Sequence, residues 1–209
     1  MKKALLILLL IPLYSYSHDI MSVQHGNFTD TNTWDCSCYP EDFDNLYIGH
    51  DVIFDTNFHY IGAQLTINFL GSLIEDGTPR YLDLEAAAFI NSGELSIHFI
   101  HVYNFSSLIN SGDYSGIDSL WNEATISNNG QMTISNLIND EGGTFINTLD
   151  MNITDLSNKG MFTSTGNIRV LNDFSNCNNL NSNAKFINDG IVCVSNDFLN
   201  CTGDSLKGT

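Results

Sequence analysis

Basic residues are scarce in this 209-residue chain: seven Lys and Arg stand against 24 Asp and Glu, a formal net charge of −17. So few cations cannot neutralise a phosphate backbone, which excludes non-specific binding to DNA or RNA. A polybasic membrane-surface role is excluded for the same reason. Proline is almost missing, at three residues, so no proline-rich stiff linker is present. Charged residues are only 15% of the chain while 43% is hydrophobic, which argues for a packed core rather than disorder. After residue 18 no apolar run approaches the roughly 20 residues of a membrane-spanning helix. No segment there carries a convincing helical apolar stripe of ten or more residues either. There is no G-x-S-x-G, no H-E-x-x-H and no P-loop.

Residues 1–17 read as a leader. Lys2 and Lys3 form a positive start, Ala4 to Leu13 is an apolar run of about ten residues, and Ser15 and Ser17 are small residues before a cut at His18. This is the pattern of a secretory signal peptide, and it predicts a secreted or cell-surface protein with no membrane insertion once the leader is removed. Export permits disulfides. The five cysteines are Cys36, Cys38, Cys177, Cys193 and Cys201, an odd number, so at least one thiol stays free or pairs between chains.

Asn is abundant, at 26 residues, and much of it is periodic. A phrase of an apolar residue, Ile or Ser, Asn, any residue and Gly recurs at Phe89–Gly93, Leu108–Gly112, Ile126–Gly130, Leu156–Gly160 and Phe186–Gly190. A looser copy begins at Leu137. Residues 162–177 and 186–201 match at eight of 16 positions with an offset of 24. Short alternating apolar stretches follow several of the glycines, such as Leu95 and Ile97 or Met132 and Ile134. Alternation of period two is a half-buried strand, and Gly and Asn suit left-handed corners. These features predict an all-β fold, a parallel β-helix (β-solenoid) with irregular coils of about 18–24 residues. If the offset of 24 is one coil, Cys177 and Cys201 stack on neighbouring strands, about 4.8 Å apart, within disulfide reach. Two reduced, inward thiols are the alternative. The same offset stacks Asn172 on Asn196 and Asn176 on Asn200, where amides can hydrogen-bond along the axis. Cys193, between Val192 and Val194, is expected to face outward unpaired.

Residues 26–55 differ from the rest. Gly26, Trp34, Cys36, Cys38, Pro40 and Asp44 precede a strand at Leu46-Tyr47-Ile48, a turn at Gly49-His50 and a strand at Val52-Ile53-Phe54. Residues 18–60 are read as an N-terminal cap with the first coils, and 61–209 as solenoid repeats. The Trp-x-Cys-x-Cys-x-Pro motif and the Phe-x-Asn-x-Gly phrases resemble secreted β-helical surface proteins of Bacteroidetes, often cargo of the type IX secretion system. The front part is similar to the eight-glycine extracellular β-helix domain. The resemblance implies a modular surface protein, adhesive or structural. The C-terminal sorting domain usual for such cargo is not visible. The chain stops in mid-phrase at Leu206-Lys207-Gly208-Thr209, which points to further domains of the same chain.

Two functional readings follow. One is a non-enzymatic, exported structural or adhesion module whose repeated rows make weak multivalent contacts with a surface protein or glycan. The other is a carbohydrate-binding or carbohydrate-active β-helix. Its strong negative charge would repel acidic polysaccharides and leave neutral glycans. Residues 113–124 are the least regular stretch, so an insertion loop there with Tyr114, Trp121 and Glu123 is the candidate ligand contact. His98 and His101, three apart in a strand, are expected on opposite faces. No catalytic, cofactor or metal residue is assigned. Oxygen-rich turns at Asn139-Asp140-Glu141 and Asn188-Asp189 could hold calcium, weakly and structurally.

Overall fold

The computed structural model describes residues 18–177, 184–201 and 205–208. The leader expected over residues 1–17 lies outside the described residues. The chain is nearly all β, a parallel β-solenoid of about eight turns. Its only helical element among the described residues is a 3-10 turn at Thr31–Thr33.

Each coil contributes to three faces. Face 1 is a ten-stranded sheet from Asp19–Met21 to Ser205–Gly208, and every neighbouring pair in it is parallel. Faces 2 and 3 share a 14-stranded sheet. They join because the long strands Asp113–Asn122, Gln131–Asn139 and Met151–Asn158 run round the corner from one to the other. Earlier coils break at that corner, as between Glu94–Ser96 and Phe99–Val102. Stacked residues are 17 to 26 positions apart, a wider range than the expected 18–24.

Period-two alternation places one row of each face inside. Leu46, Leu65, Phe89, Leu108, Ile126, Phe145, Phe162 and Phe186 form the inner row of face 1, all buried. The rings of Phe145, Phe162 and Phe186 stack at 4.9 and 5.0 Å, the spacing of the strands themselves. The first coil is closed by Trp34, which is buried and donates its indole N–H to the Phe28 carbonyl at 2.9 Å. Phe28 packs edge-on against Trp34, Tyr39 and Phe54.

The recurring Asn phrase resolves into two columns at two corners. In the first, Asn91 donates to Asn110, Asn110 to Asn128 and Asn128 to Asn147, at 2.7–2.8 Å. In the second, Asn122, Asn139, Asn158, Asn176 and Asn200 are linked in the same way at 2.6–2.7 Å. The copies at Leu156 and Leu137 therefore belong to the second corner. Asn91, Asn110, Asn122, Asn128, Asn139, Asn158 and Asn176 are all fully buried. Each such buried bond contributes about 1 kcal/mol net, and far more is lost if one partner is left alone.

The phrase glycines have a different role from the one expected. Gly93, Gly112 and Gly130 are not left-handed; positive φ among glycines falls at Gly62, Gly77, Gly116 and Gly142. A Cβ on Gly112 would lie 2.1 Å from the Gly93 carbonyl oxygen, and one on Gly130 2.2 Å from that of Gly112. These glycines allow consecutive corners to approach.

Cys177 and Cys201 stack as the 24-residue offset predicts, with Cα atoms 5.0 Å apart and sulphurs at disulfide distance. Cys36 and Cys38 are also at disulfide distance. Cys193 is free and exposed, facing out beside Arg169.

The outer surfaces of the faces differ in charge. On face 1, the outward residues of seven successive strands, from Asn45 and Tyr47 to Met161 and Thr163, include no Asp, Glu, Lys or Arg. The adjoining corner row, Asn68, Ser92, Ser111, Asn129, Thr148 and Thr165, is uncharged as well. Apart from Asp19 on the first strand of face 1, the acidic residues lie on the other two faces and in the turns, as with Asp51, Glu94 and Asp113 on face 2.

Candidate functional site: an aromatic and carboxylate strip on face 3

Side chains that point outward from face 3 line up in register. His59, Asp83, His101 and Trp121 occupy one row on successive coils. Tyr103 and the carboxylates Glu85, Glu123 and Asp140 belong to the next row along each strand or the turn beyond it. Strand spacing of about 4.8 Å matches ring-stacking distance. The rings accordingly pile up: His101 lies 3.7 Å from Tyr103 and 5.0 Å from Trp121, centre to centre, and His59 lies 6.0 Å from Tyr103, all near-parallel. Tyr81 and Phe99 form a second stacked pair at 4.6 Å.

Every ring nitrogen facing the outer row meets a carboxylate. His59 Nε2 is 2.9 Å from Glu85 Oε2, and His101 Nε2 is 3.2 Å from Glu123 Oε1. Trp121 donates its indole N–H to Asp140 Oδ2 at 3.2 Å, while Lys159 Nζ donates to Asp140 Oδ1 at 3.1 Å. Burial raises the Asp140 pKa, but the Glu141 backbone N–H, Lys159 and Trp121 outweigh it and hold the carboxyl below its usual range. The Tyr103 hydroxyl titrates above its ordinary value, through burial first and then the negative charges of Asp83, Glu123 and Glu85.

The strip corrects the expectation of an insertion loop at 113–124. Asp113–Asn122 is a single ten-residue strand, bulged between Tyr114 and Ile117. Tyr114 is fully buried, its hydroxyl has no hydrogen-bond partner, and burial pushes its pKa well above the ordinary tyrosine value. It is a core residue and no ligand contact. Trp121 and Glu123 are brought together on the outer surface, with Trp121 40% exposed. His98 and His101 do not lie on opposite faces. A corner after Ile97 turns both imidazoles outward, and His98 Nδ1 contacts the buried Glu75 carboxylate. His59, Tyr103 and Tyr81 escaped the sequence reading because no motif singles them out; only the register aligns them.

Chemically, the strip offers ring edges and carboxylates to a ligand. Its ring faces are turned toward one another. Of the oxygen-rich turn at Asn139-Asp140-Glu141, Asp140 has both carboxylate oxygens engaged. Among the described residues no group of three or more His, Cys, Asp and Glu side chains is placed to hold a metal ion. In comparisons with known proteins, the chain matches no family model, no curated protein and no solved structure.

Proposed function

We propose that this chain is an exported, non-enzymatic β-solenoid serving as a structural or adhesion module at the cell surface or outside the cell. The observation that carries this reading is the pair of buried amide ladders, which tie successive coils together along the axis. They make a stiff scaffold that sets a length and holds outward rows at a fixed repeat of about 4.8 Å. Rows of that kind suit weak contacts made many times over. The leader pattern and the Cys177–Cys201 pair fit an oxidising compartment. The test is labelling of intact producing cells with an impermeant reagent, together with N-terminal sequencing of the product. A labelled chain beginning near His18 is expected; an intracellular chain that keeps Met1 to Ser17 would overturn the proposal.

A second reading is favoured by Trp121, which is 40% exposed and donates its indole N–H to Asp140 on a strip that also carries Glu123. On this reading face 3 contacts a neutral glycan, as a binding site with no reaction. A glycan array probed with the chain and with Trp121→Ala tests it. Signals that vanish in the variant support it, and a blank array sinks it.

A further inference from the structure

We infer that face 1 is where a second copy of this chain docks, outer sheet surface against outer sheet surface. The first observation is charge. On a chain of net charge −17, seven successive rungs of face 1 carry no charged side chain on their outer surface or on the adjoining corner row. Two copies repel wherever their acidic faces meet, and the field of the whole chain adds to that repulsion. Face 1 is the broad surface on which they can meet without opposing two carboxylates.

The second observation is shape and chemistry. The central outward row carries Ile90, Ile109 and Ile146, stacked in register with Ser127 between the last two. Ile109 and Ile146 are 39% and 38% exposed. They form an aliphatic ridge flanked by small hydroxyl side chains such as Ser107, Thr125 and Thr144. A two-fold axis lying in the interface plane, parallel to the sheet, lays this ridge on its own copy, since an isologous contact needs only a patch that complements itself. Sheets packed face to face bury just such alternating rows.

The third observation is area. Seven strands at about 4.8 Å span about 34 Å, and the row width is about 15 Å, which gives roughly 500 Å² per copy and roughly 1,000 Å² in all. That lies at the lower limit for a specific protein contact. The dimer is therefore weak, and it is governed by salt, because the acidic faces repel across a range that shrinks from about 10 Å at 0.1 M to about 4 Å at 0.5 M.

Sedimentation equilibrium of the purified chain across a concentration series, at low salt and at about 0.5 M salt, tests this. The expected result is a monomer at low salt and a concentration-dependent rise toward twice the monomer mass at high salt. Ile109→Asp with Ile146→Asp is expected to keep the chain monomeric at both salts. Ile109→Ser with Ile146→Ser, which adds no charge, is expected to weaken association about tenfold. Thr133→Asp, outward on face 2, is expected to leave it unchanged. Thermal melting of each variant verifies that it remains folded. A chain monomeric in all conditions overturns the inference, as does a dimer that survives both Ile109/Ile146 variants or that Thr133→Asp abolishes. A monomer that co-sediments with insoluble neutral polysaccharide would replace the second copy with a glycan.

Discussion

The first amide ladder has a flaw at Ser164, and repairing it should stabilise the protein. Asn147 donates to Ser164 Oγ at 3.0 Å, but the serine hydroxyl then donates to the Gly166 carbonyl at 3.1 Å. Asn188, next in register, is left with a buried side-chain oxygen that accepts nothing. In Ser164→Asn the new amide would accept from Asn147 and donate to Asn188. The column already holds Asn on either side at the same register, so the larger side chain follows an existing path. Giving a buried orphan acceptor its donor is worth about 1–3 kcal/mol. Ordering the new side chain opposes this by about 1 kcal/mol. A net gain of up to about 2 kcal/mol follows, centred on about 1 kcal/mol, which for a chain of this length raises Tm by about 2–4 °C. Thermal melts and guanidinium titrations of the parent and of Ser164→Asn measure the gain. The same pair in an Asn188→Ala background isolates the new bond. A neutral or destabilising Ser164→Asn would refute the reasoning, and so would an equal gain in the Asn188→Ala background.

Other outcomes follow from the same coordinates. Gly112→Ala would set a Cβ 2.1 Å from the Gly93 carbonyl oxygen, so the two corners must separate; a loss of about 2–3 kcal/mol in chemical denaturation is expected. Tyr114→Phe removes a fully buried hydroxyl without a partner, so stability should rise by about 1 kcal/mol. A fall of that size in denaturant midpoint would mean that the hydroxyl is satisfied. Asp140 is held below its unfolded pKa, so its contribution is fully present above about pH 4 and is lost as the pH falls through the lower folded value. The difference in Tm between the parent and Asp140→Asn should accordingly be constant above about pH 5 and shrink below pH 4.

Much of the fold was legible in the sequence because a solenoid writes its coil length into the chain. The 24-residue offset correctly placed Phe174 on Phe198 and Cys177 on Cys201. The same offset placed Asn176 on Asn200, whose amides are bonded, and Asn172 beside Asn196, whose amide donates to Asp173 instead of along a ladder. What the Asn phrase hid was that two corners share it, so copies such as Leu108–Gly112 and Leu156–Gly160 read as one series although they stand in different columns. The phrase glycines suggested left-handed turns, whereas the demand for glycine comes from a carbonyl of the neighbouring coil, which no local pattern reveals. Residues 113–124 read as a loop because the bulge at Tyr114 breaks their alternation, though they pair along nearly their whole length. The candidate strip was half legible. Trp121 and Glu123 were singled out, but His59, His101 and Tyr103 join them only through stacking register. The uncharged outer surface of face 1 was hidden for the same reason, since its residues are scattered along the sequence between acidic turns.

Hydrogen exchange of the asparagine side-chain amides tests the central claim, that buried ladders hold the coils in register. With the Nδ2 protons assigned by NMR, transfer to deuterated buffer should leave Asn110, Asn128, Asn139 and Asn158 protected as long as the neighbouring strand backbone. Exposed Asn129 and Asn152 should exchange within the dead time. Equal, rapid exchange of both groups would contradict the ladders and the scaffold built on them.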